Sequence, residues 1–174
     1  EPVPHADGYQ GYHRLPGNIR VVGCWAHARR KFDEVLGTLP QEKRKDSPAA
    51  MGECYCSQLF KLEQALAELT PEERYEKRLE QEKPVLDALL SWVNETQERT
   101  APKSALGKAI HYLLEQWSYL TRYLEDGRIE LSNNRAERNI KPFVMGRKNW
   151  LFANTPGGAQ ASSVIYSLIE TAKE

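Results

Sequence analysis

The sequence lacks most of the features that announce a function at once. No apolar run approaches the roughly 20 residues that a membrane-spanning helix needs. The opening residues, EPVPHADGY, carry no basic-then-apolar pattern of a secretory signal. There is no internal repeat, no low-complexity tract, and one convincing strand pattern near the start. Net charge is missing too: 24 basic residues balance 24 acidic ones over 174 residues. A basic average therefore does not mark a nucleic-acid binder, and any such site must be local. Cysteine is scarce, with Cys24, Cys54 and Cys56 alone. An odd count without a secretory signal predicts free thiols in a reducing cytoplasm and no membrane partner. What is present, 40% hydrophobic and 28% charged residues, suits a soluble globular domain with a real core.

Helical periodicity fills the middle of the chain. Asp7-Gly8 is a turn signal, Gly8 to Leu15 has room for a short helix, and Ile19 to Gly23 (IRVVG) reads as a buried strand. Cys24 to Leu36 reads as a helix with Trp25, Ala28, Phe32, Val35 and Leu36 inward, followed by a polar loop from Gly37 to Asp46. Ser47-Pro48 is a cap followed by Pro at the first helical position. It opens a helix to Leu69 with Tyr55, Leu59, Leu62, Leu66 and Leu69 as its stripe. Thr70-Pro71-Glu72-Glu73 is a capping box, and the helix it starts runs to about Glu98 with a kink or restart at Pro84. From Lys103 to Glu125, Leu106, Ile110, Leu113, Trp117, Leu120 and Leu124 form a seam for another helix, which Gly127 can end. Arg128 to Leu131 alternates, and Pro142 limits a small helix that follows. Trp150 to Phe152 reads as buried, and a last amphipathic helix spans Gly158 to Lys173 with Ala161, Ile165, Leu168 and Ala172.

The densest chemistry lies between Leu131 and Phe152. From Arg128 to Lys148, six cations (Arg128, Arg135, Arg138, Lys141, Arg147, Lys148) face two carboxylates, Glu130 and Glu137. Such a patch inside a neutral chain points to phosphate. Glu137 has two readings. With Asn134 as N-cap it is the last residue of a capping box; otherwise it is a metal-ligating carboxylate on the first turn of a helix. The residues alone leave both open. Asp7 is a turn aspartate or a second carboxylate for the same metal, and spacing alone favours the turn. Arg147-Lys148-Asn149-Trp150 offers two phosphate donors and a stacking aromatic, or a solvated turn before a core Trp. Arg29, Arg30 and Lys31 read as a wet helix face. Cys24-x-x-His27 with Cys54-x-Cys56 has the ligand types for zinc. However, Cys54 and Cys56 point to different faces of a helix, so zinc is disfavoured.

Four blocks make the chain recognisable: GCWAHARRKF (Gly23 to Phe32), SNNRAERNIKP (Ser132 to Pro142), GRKNWLF (Gly146 to Phe152) and YSLIETAK (Tyr166 to Lys173), with ADGYQGY (Ala6 to Tyr12) before them. In this order they resemble the bacterial transposases of the insertion sequence 66 family. The resemblance implies an RNase H-like core with an Asp-Asp-Glu triad and Mg²⁺ (or Mn²⁺), which cuts transposon ends and joins the 3′-hydroxyl to target DNA. Asp7 would be the second Asp and Glu137 the Glu, both of them metal ligands. Arg135, Arg138, Lys141, Arg147, Lys148, Trp150, His27 and Arg30 are then the expected DNA contacts. Cys24-x-x-His27 is similar to a signature that supports the fold or touches DNA rather than zinc.

Only six residues precede Asp7, and the chain opens on Glu1 rather than Met. It therefore reads as the carboxy-terminal part of such an enzyme, inactive alone for want of the first Asp. The fold expected is mainly α with a small β remnant: an incomplete RNase H-like core, its first strands missing, carrying a long helical insertion. Residues 1–39 would be the core remnant, 40–127 the insertion, and 128–174 the catalytic-Glu helix, basic turn and last helix. DNA and self-association in a transposition complex are the expected partners. The competing reading is a non-catalytic helical module that binds nucleic acid or mediates assembly.

Overall fold

The computed structural model describes residues 5–6, 21–135, 137–139, 141 and 155–173. The expectations for Asp7, Gly8 to Leu15, Pro142, Arg147, Lys148 and Trp150 to Phe152 lie outside the described residues. The chain divides into two compact units, Glu1–Ser132 and Asn133–Glu174.

In the first unit, strand β1 (His5–Ala6) pairs in parallel with β2 (Val22–Gly23), with His5 opposite Val22 and Ala6 opposite Gly23. The IRVVG run thus forms a strand over its last residues. Cys24, extended, leads into helix α1 (Trp25–Thr38), which buries Trp25, Ala28, Phe32 and Val35 as its spacing predicts. A single turn, α2 (Gln41–Arg44), interrupts the expected loop. Helix α3 (Pro48–Ala65) opens as expected, the Ser47 hydroxyl accepting from the Ala50 N–H at 3.2 Å. Of the expected stripe Leu59 and Leu66 are buried and Tyr55, Leu62 and Leu69 half-buried, and small residues share the inward face. Ala49, Gly52 and Cys56 face inward beside Leu59. The cause is close approach: a Cβ on Gly52 would sit 2.5 Å from the Phe32 ring of α1. Arg74 finishes α3 by donating to the carbonyls of Leu66 (3.3 Å), Ala67 (2.8 Å) and Leu69 (3.3 Å).

Helix α4 (Pro71–Lys77) has the full capping box, Thr70 Oγ1 accepting from Glu73 N–H and Glu73 Oε2 from Thr70 N–H, at 3.3 and 3.0 Å. A π-helical turn (Arg78–Glu82) joins it to α5 (Lys83–Glu98). Pro84 is the reason for this turn. It has no N–H to donate, and its ring crowds the carbonyl four residues back. Widening the ladder just before it, with Lys83 N–H reaching the Arg78 carbonyl, absorbs the misfit without ending the helix. Helix α6 (Ala105–Leu120), capped by Ser104, continues as a 3-10 segment (Thr121–Glu125). Leu86, Leu89 and Val93 of α5 and Ile110, Leu113 and Leu120 of α6 join Trp25, Phe32 and Leu59 in one core. Beyond it, Ile129 and Leu131 are buried while Arg128 is exposed and Glu130 half-buried. The expected alternation is real, although the segment forms no strand.

The second unit contains helix α7, described at residues 134–135, 137–139 and 141, and helix α8 (Pro156–Ala172). Val164, Ile165, Leu168 and Ile169 of α8 are exposed. No described helix is long and apolar enough to cross a membrane. The mainly helical expectation holds. One parallel pair of two-residue strands does not by itself define an RNase H-like sheet.

Candidate metal and nucleic-acid site

The segments that precede the two candidate carboxylates, β1 and the stretch ending at Leu131, come together within the first unit. β1 ends at Ala6, one residue before Asp7, and Ala6 pairs with Gly23. Two residues past Gly23, the Trp25 N–H donates to the carbonyl of Leu131 at 3.1 Å. Leu131 lies six positions before Glu137. The parallel pairing and this bond thus bring the approach to Asp7 and the approach to α7 to neighbouring residues of one β–α turn. Trp25 also holds the far side. Its indole Nε1 donates to the Leu120 carbonyl at 2.9 Å, and its ring meets Trp117 edge to face at 6.1 Å. Arg122 adds a bond from Nη1 to the Val21 carbonyl, 2.8 Å, which pins the start of β2 to the 3-10 segment.

In α7 the Asn133 carbonyl accepts from the Glu137 N–H at 2.9 Å, and residue 134 is already helical. Asn133 is therefore the cap, and Glu137 stands at the fourth helical position rather than the third. That is one residue beyond the place a capping-box carboxylate occupies. Glu137, Arg135, Arg138 and Lys141 are all exposed. Lys141 follows Glu137 by four residues and Arg138 follows Arg135 by three, spacings that put each pair on one helical face. The first turn thus presents a carboxylate among cations, where the amino-terminal end of a helix also favours anions.

His27 is half-buried in the first turn of α1, and Arg30 is exposed further along it. The wet-face expectation for this helix holds for Arg30 and for Lys31, whose side chain is 42% exposed, but not for Arg29. Arg29 stacks over Phe60 at 5.0 Å, and Lys31 lies over Tyr112 at 5.9 Å while pairing with Glu34 at 3.4 Å. Cys54 is exposed and Cys56 buried, on different sides of α3. Burial pushes the Cys56 thiol up to about 12, which keeps it protonated. Among the described residues, no three His, Cys, Asp or Glu side chains gather as a metal-binding group.

The sequence reading passed over a buried ionic cluster. Arg78 and Glu82 of the π turn are fully buried, with Glu63 of α3 and Tyr123 of the 3-10 segment against them. A signal was available. Counting back from Val93, Leu89 and Leu86 at the helical period lands on Glu82 and then Arg78, so the buried stripe of α5 runs into two charges.

A family model described as Transposase IS66 family matches residues 3–161. The curated proteins y4hP, y4qI and y4jD of Sinorhizobium fredii (strain NBRC 101917 / NGR234), each described as uncharacterized, are 33% identical to the chain. The matches cover 89%, 98% and 98% of this chain but 29%, 32% and 34% of those proteins, so the chain spans about a third of the length of these relatives. No solved structure matches it. With a family match running from residue 3 to residue 161, the chain belongs to the IS66 family of transposases.

Proposed function

We propose that this chain supplies Asp7 and Glu137 to the two-metal site of a DNA transposase that cuts transposon ends and transfers the freed 3′-hydroxyl to target DNA in the cytoplasm. The observation that carries the reading is the Trp25–Leu131 bond. It brings the segment leading to Glu137 beside the strand whose parallel partner ends one residue before Asp7. Carboxylates from distant parts of a chain, delivered to the carboxyl ends of neighbouring parallel strands, are what an RNase H-like site requires. The donor set fits a hard divalent cation: Glu137 is exposed and offers oxygen, which suits Mg²⁺ or Mn²⁺. Such ions, when bound, stabilise the attacking and leaving oxygens of an in-line phosphoryl transfer. The chain's own part is to hold the site and its DNA. Glu137 and Asp7 provide oxygen ligands. Arg135, Arg138 and Lys141 neutralise backbone phosphates beside them, and Arg147, Lys148, His27 and Arg30 extend that contact, with Trp150 as a stacking platform. The third carboxylate of the triad comes from outside these residues, so the 174-residue chain alone binds DNA without cutting it. Self-association in a synaptic complex belongs to the same reading.

The test is strand transfer by the whole transposase with Glu137→Gln, against DNA binding with Arg138→Ala. Glu137→Gln is expected to abolish strand transfer and leave DNA affinity intact. Arg138→Ala is expected to weaken binding uniformly across sequences and reduce the salt slope by about one. Strand transfer surviving Glu137→Gln would sink the catalytic reading and leave a helical nucleic-acid-binding module.

A further inference from the structure

Arg78 spends all of its hydrogen-bonding capacity inside the protein. A guanidinium has five N–H donors. Nε and Nη2 grip the Glu63 carboxylate at 2.5 and 3.0 Å. The remaining donors go to main-chain carbonyls of a single segment: Nη1 to Tyr123 (2.8 Å) and Asp126 (3.0 Å), and Nη2 to Ile129 (2.8 Å). The Tyr123 ring also lies under the guanidinium, 5.0 Å away. Two further contacts hold the same stretch. Arg74 Nη1 donates to the Gly127 carbonyl at 3.3 Å, and Gly127 packs against the Pro71 carbonyl so closely that a Cβ there would overlap it.

We propose that Arg78 is a positioning residue for the segment that leads to Glu137: by clamping residues 123–129 it fixes the path to Leu131, the point from which the chain continues toward α7. The proposal rests on the reading of Glu137 as a metal ligand. A buried ion pair is a poor source of stability, since well-packed apolar groups commonly do as well. What it provides is directional specificity, and here three of five donors are aimed at one irregular segment. Past the 3-10 turn that ends at Glu125, that segment has only turn bonds of its own, such as Ile129 N–H to the Asp126 carbonyl, to fix it. The clamp ends within two residues of the carbonyl that Trp25 holds.

Glu82 braces the clamp from behind. Tyr123 Oη donates to Glu82 Oε2 at 2.6 Å, while Oε1 is buried with no hydrogen-bond partner. The charged groups facing it are Glu63 from α3 and Arg78 from its own turn, with Tyr123 from the 3-10 segment. Burial pushes the Glu82 carboxyl up to about 8, and the neighbouring Glu63 carboxylate adds to the rise against the pull of Tyr123 and Arg78. At neutral pH Glu82 is thus uncharged. Above pH 8 a second buried anion appears beside Glu63 and weakens the brace.

The experiment has a structural arm and a functional arm. Amide exchange in the 174-residue chain, normalised for intrinsic rates, reads the Trp25 and Ile129 N–H groups, whose acceptors are the Leu131 and Asp126 carbonyls. Strand transfer by the whole transposase reads turnover and half-saturating DNA separately. Arg78→Lys keeps the charge but not the fork. It is expected to speed exchange at Trp25 and Ile129 about tenfold, equivalent to about 1.4 kcal/mol, with the α3 amides unchanged. Turnover should fall while half-saturating DNA holds. Glu82→Gln should match the parent at pH 7 and retain protection at pH 9, where the parent loses it. Unchanged exchange in Arg78→Lys overturns the clamp, and faster exchange with full turnover overturns the positioning role. If Arg78→Lys does not fold, Glu63→Gln, which loosens the grip on Nε and Nη2, takes its place, and unchanged exchange at Trp25 and Ile129 counts against the clamp in the same way. Retained strand transfer in Glu137→Gln defeats the catalytic reading alone, because the exchange arm uses neither metal nor DNA.

Discussion

Between α1 and α3 the helical unit is closed by carbon. The Phe32 ring lies over Gly52, Leu59 and Cys56 are fully buried, and the charged groups of this seam, Arg29, Asp33 and Glu53, are half-buried or exposed beside them rather than sealed within it. Between the π turn and residues 123–131 it is closed by charge, with a saturated guanidinium, the Glu82 carboxyl and a phenol out of water and the Glu63 carboxylate half-buried beside them. The two seams have opposite sensitivities. An apolar contact is indifferent to pH and forgiving in direction, but it fails when volume changes. An ionic one tolerates little loss of a partner and carries a proton dependence. The helical unit therefore has one side that supplies stability and another that supplies direction, and the second lies against the segment leading to Glu137.

The largest effect expected is on the charged side. Arg78→Met leaves Glu63 without its partner and takes a donor from three carbonyls, and should cost about 3–5 kcal/mol in urea unfolding. Next is the pH profile. The folded Glu82 carboxyl titrates near 8 against an ordinary value of 4.5, so the neutral form is favoured by folding. Its contribution is full below pH 4.5 and is lost as pH rises through 8. The urea midpoint should accordingly fall across that window, and Glu82→Gln, which still accepts from Tyr123, should flatten the fall. On the apolar side, Gly52→Ala pushes a methyl into the Phe32 ring and should cost about 1–3 kcal/mol, equally at pH 6 and pH 9. A pH-dependent penalty there would erase the contrast between the seams. Smallest is Thr70→Ala, which removes half of the α4 capping box for about 1 kcal/mol in thermal unfolding.

Local rules were legible where they were local. Ser47 and Thr70 with Glu73 cap the helices they precede because a side-chain oxygen within three residues of an orphan N–H needs no tertiary information. The α6 seam could be read for the same reason, since a four-three spacing on a helix defines a face before anything packs on it. The α3 stripe was incomplete, since Leu59 and Leu66 are inside but share that face with small residues. Contact with α1 selected Ala49, Gly52 and Cys56 by smallness, which only the partner helix makes visible. Arg78 was missed because its partners lie up to 51 residues away in the sequence, on carbonyls that no side-chain pattern reveals. At the candidate site, Glu137 and the α7 cations could be found by charge density. Asn133 rather than Asn134 as the cap could not, because three successive residues were all good caps.

The Trp25–Leu131 hydrogen bond has an evolutionary meaning as well as a mechanical one. It joins the first residue of α1 to the last buried residue before the second unit, so the more than one hundred residues between them leave and return at a single point. A segment whose two ends touch can lengthen, shorten or be exchanged for another without moving its host. Natural variation in this family is therefore expected to concentrate in the size and sequence of the helices between Thr38 and Ala105, with Arg78 and its partners Glu63 and Glu82 kept. The residues that close the loop, Trp25 and the stretch it holds, should be the ones that keep their register when the cassette changes.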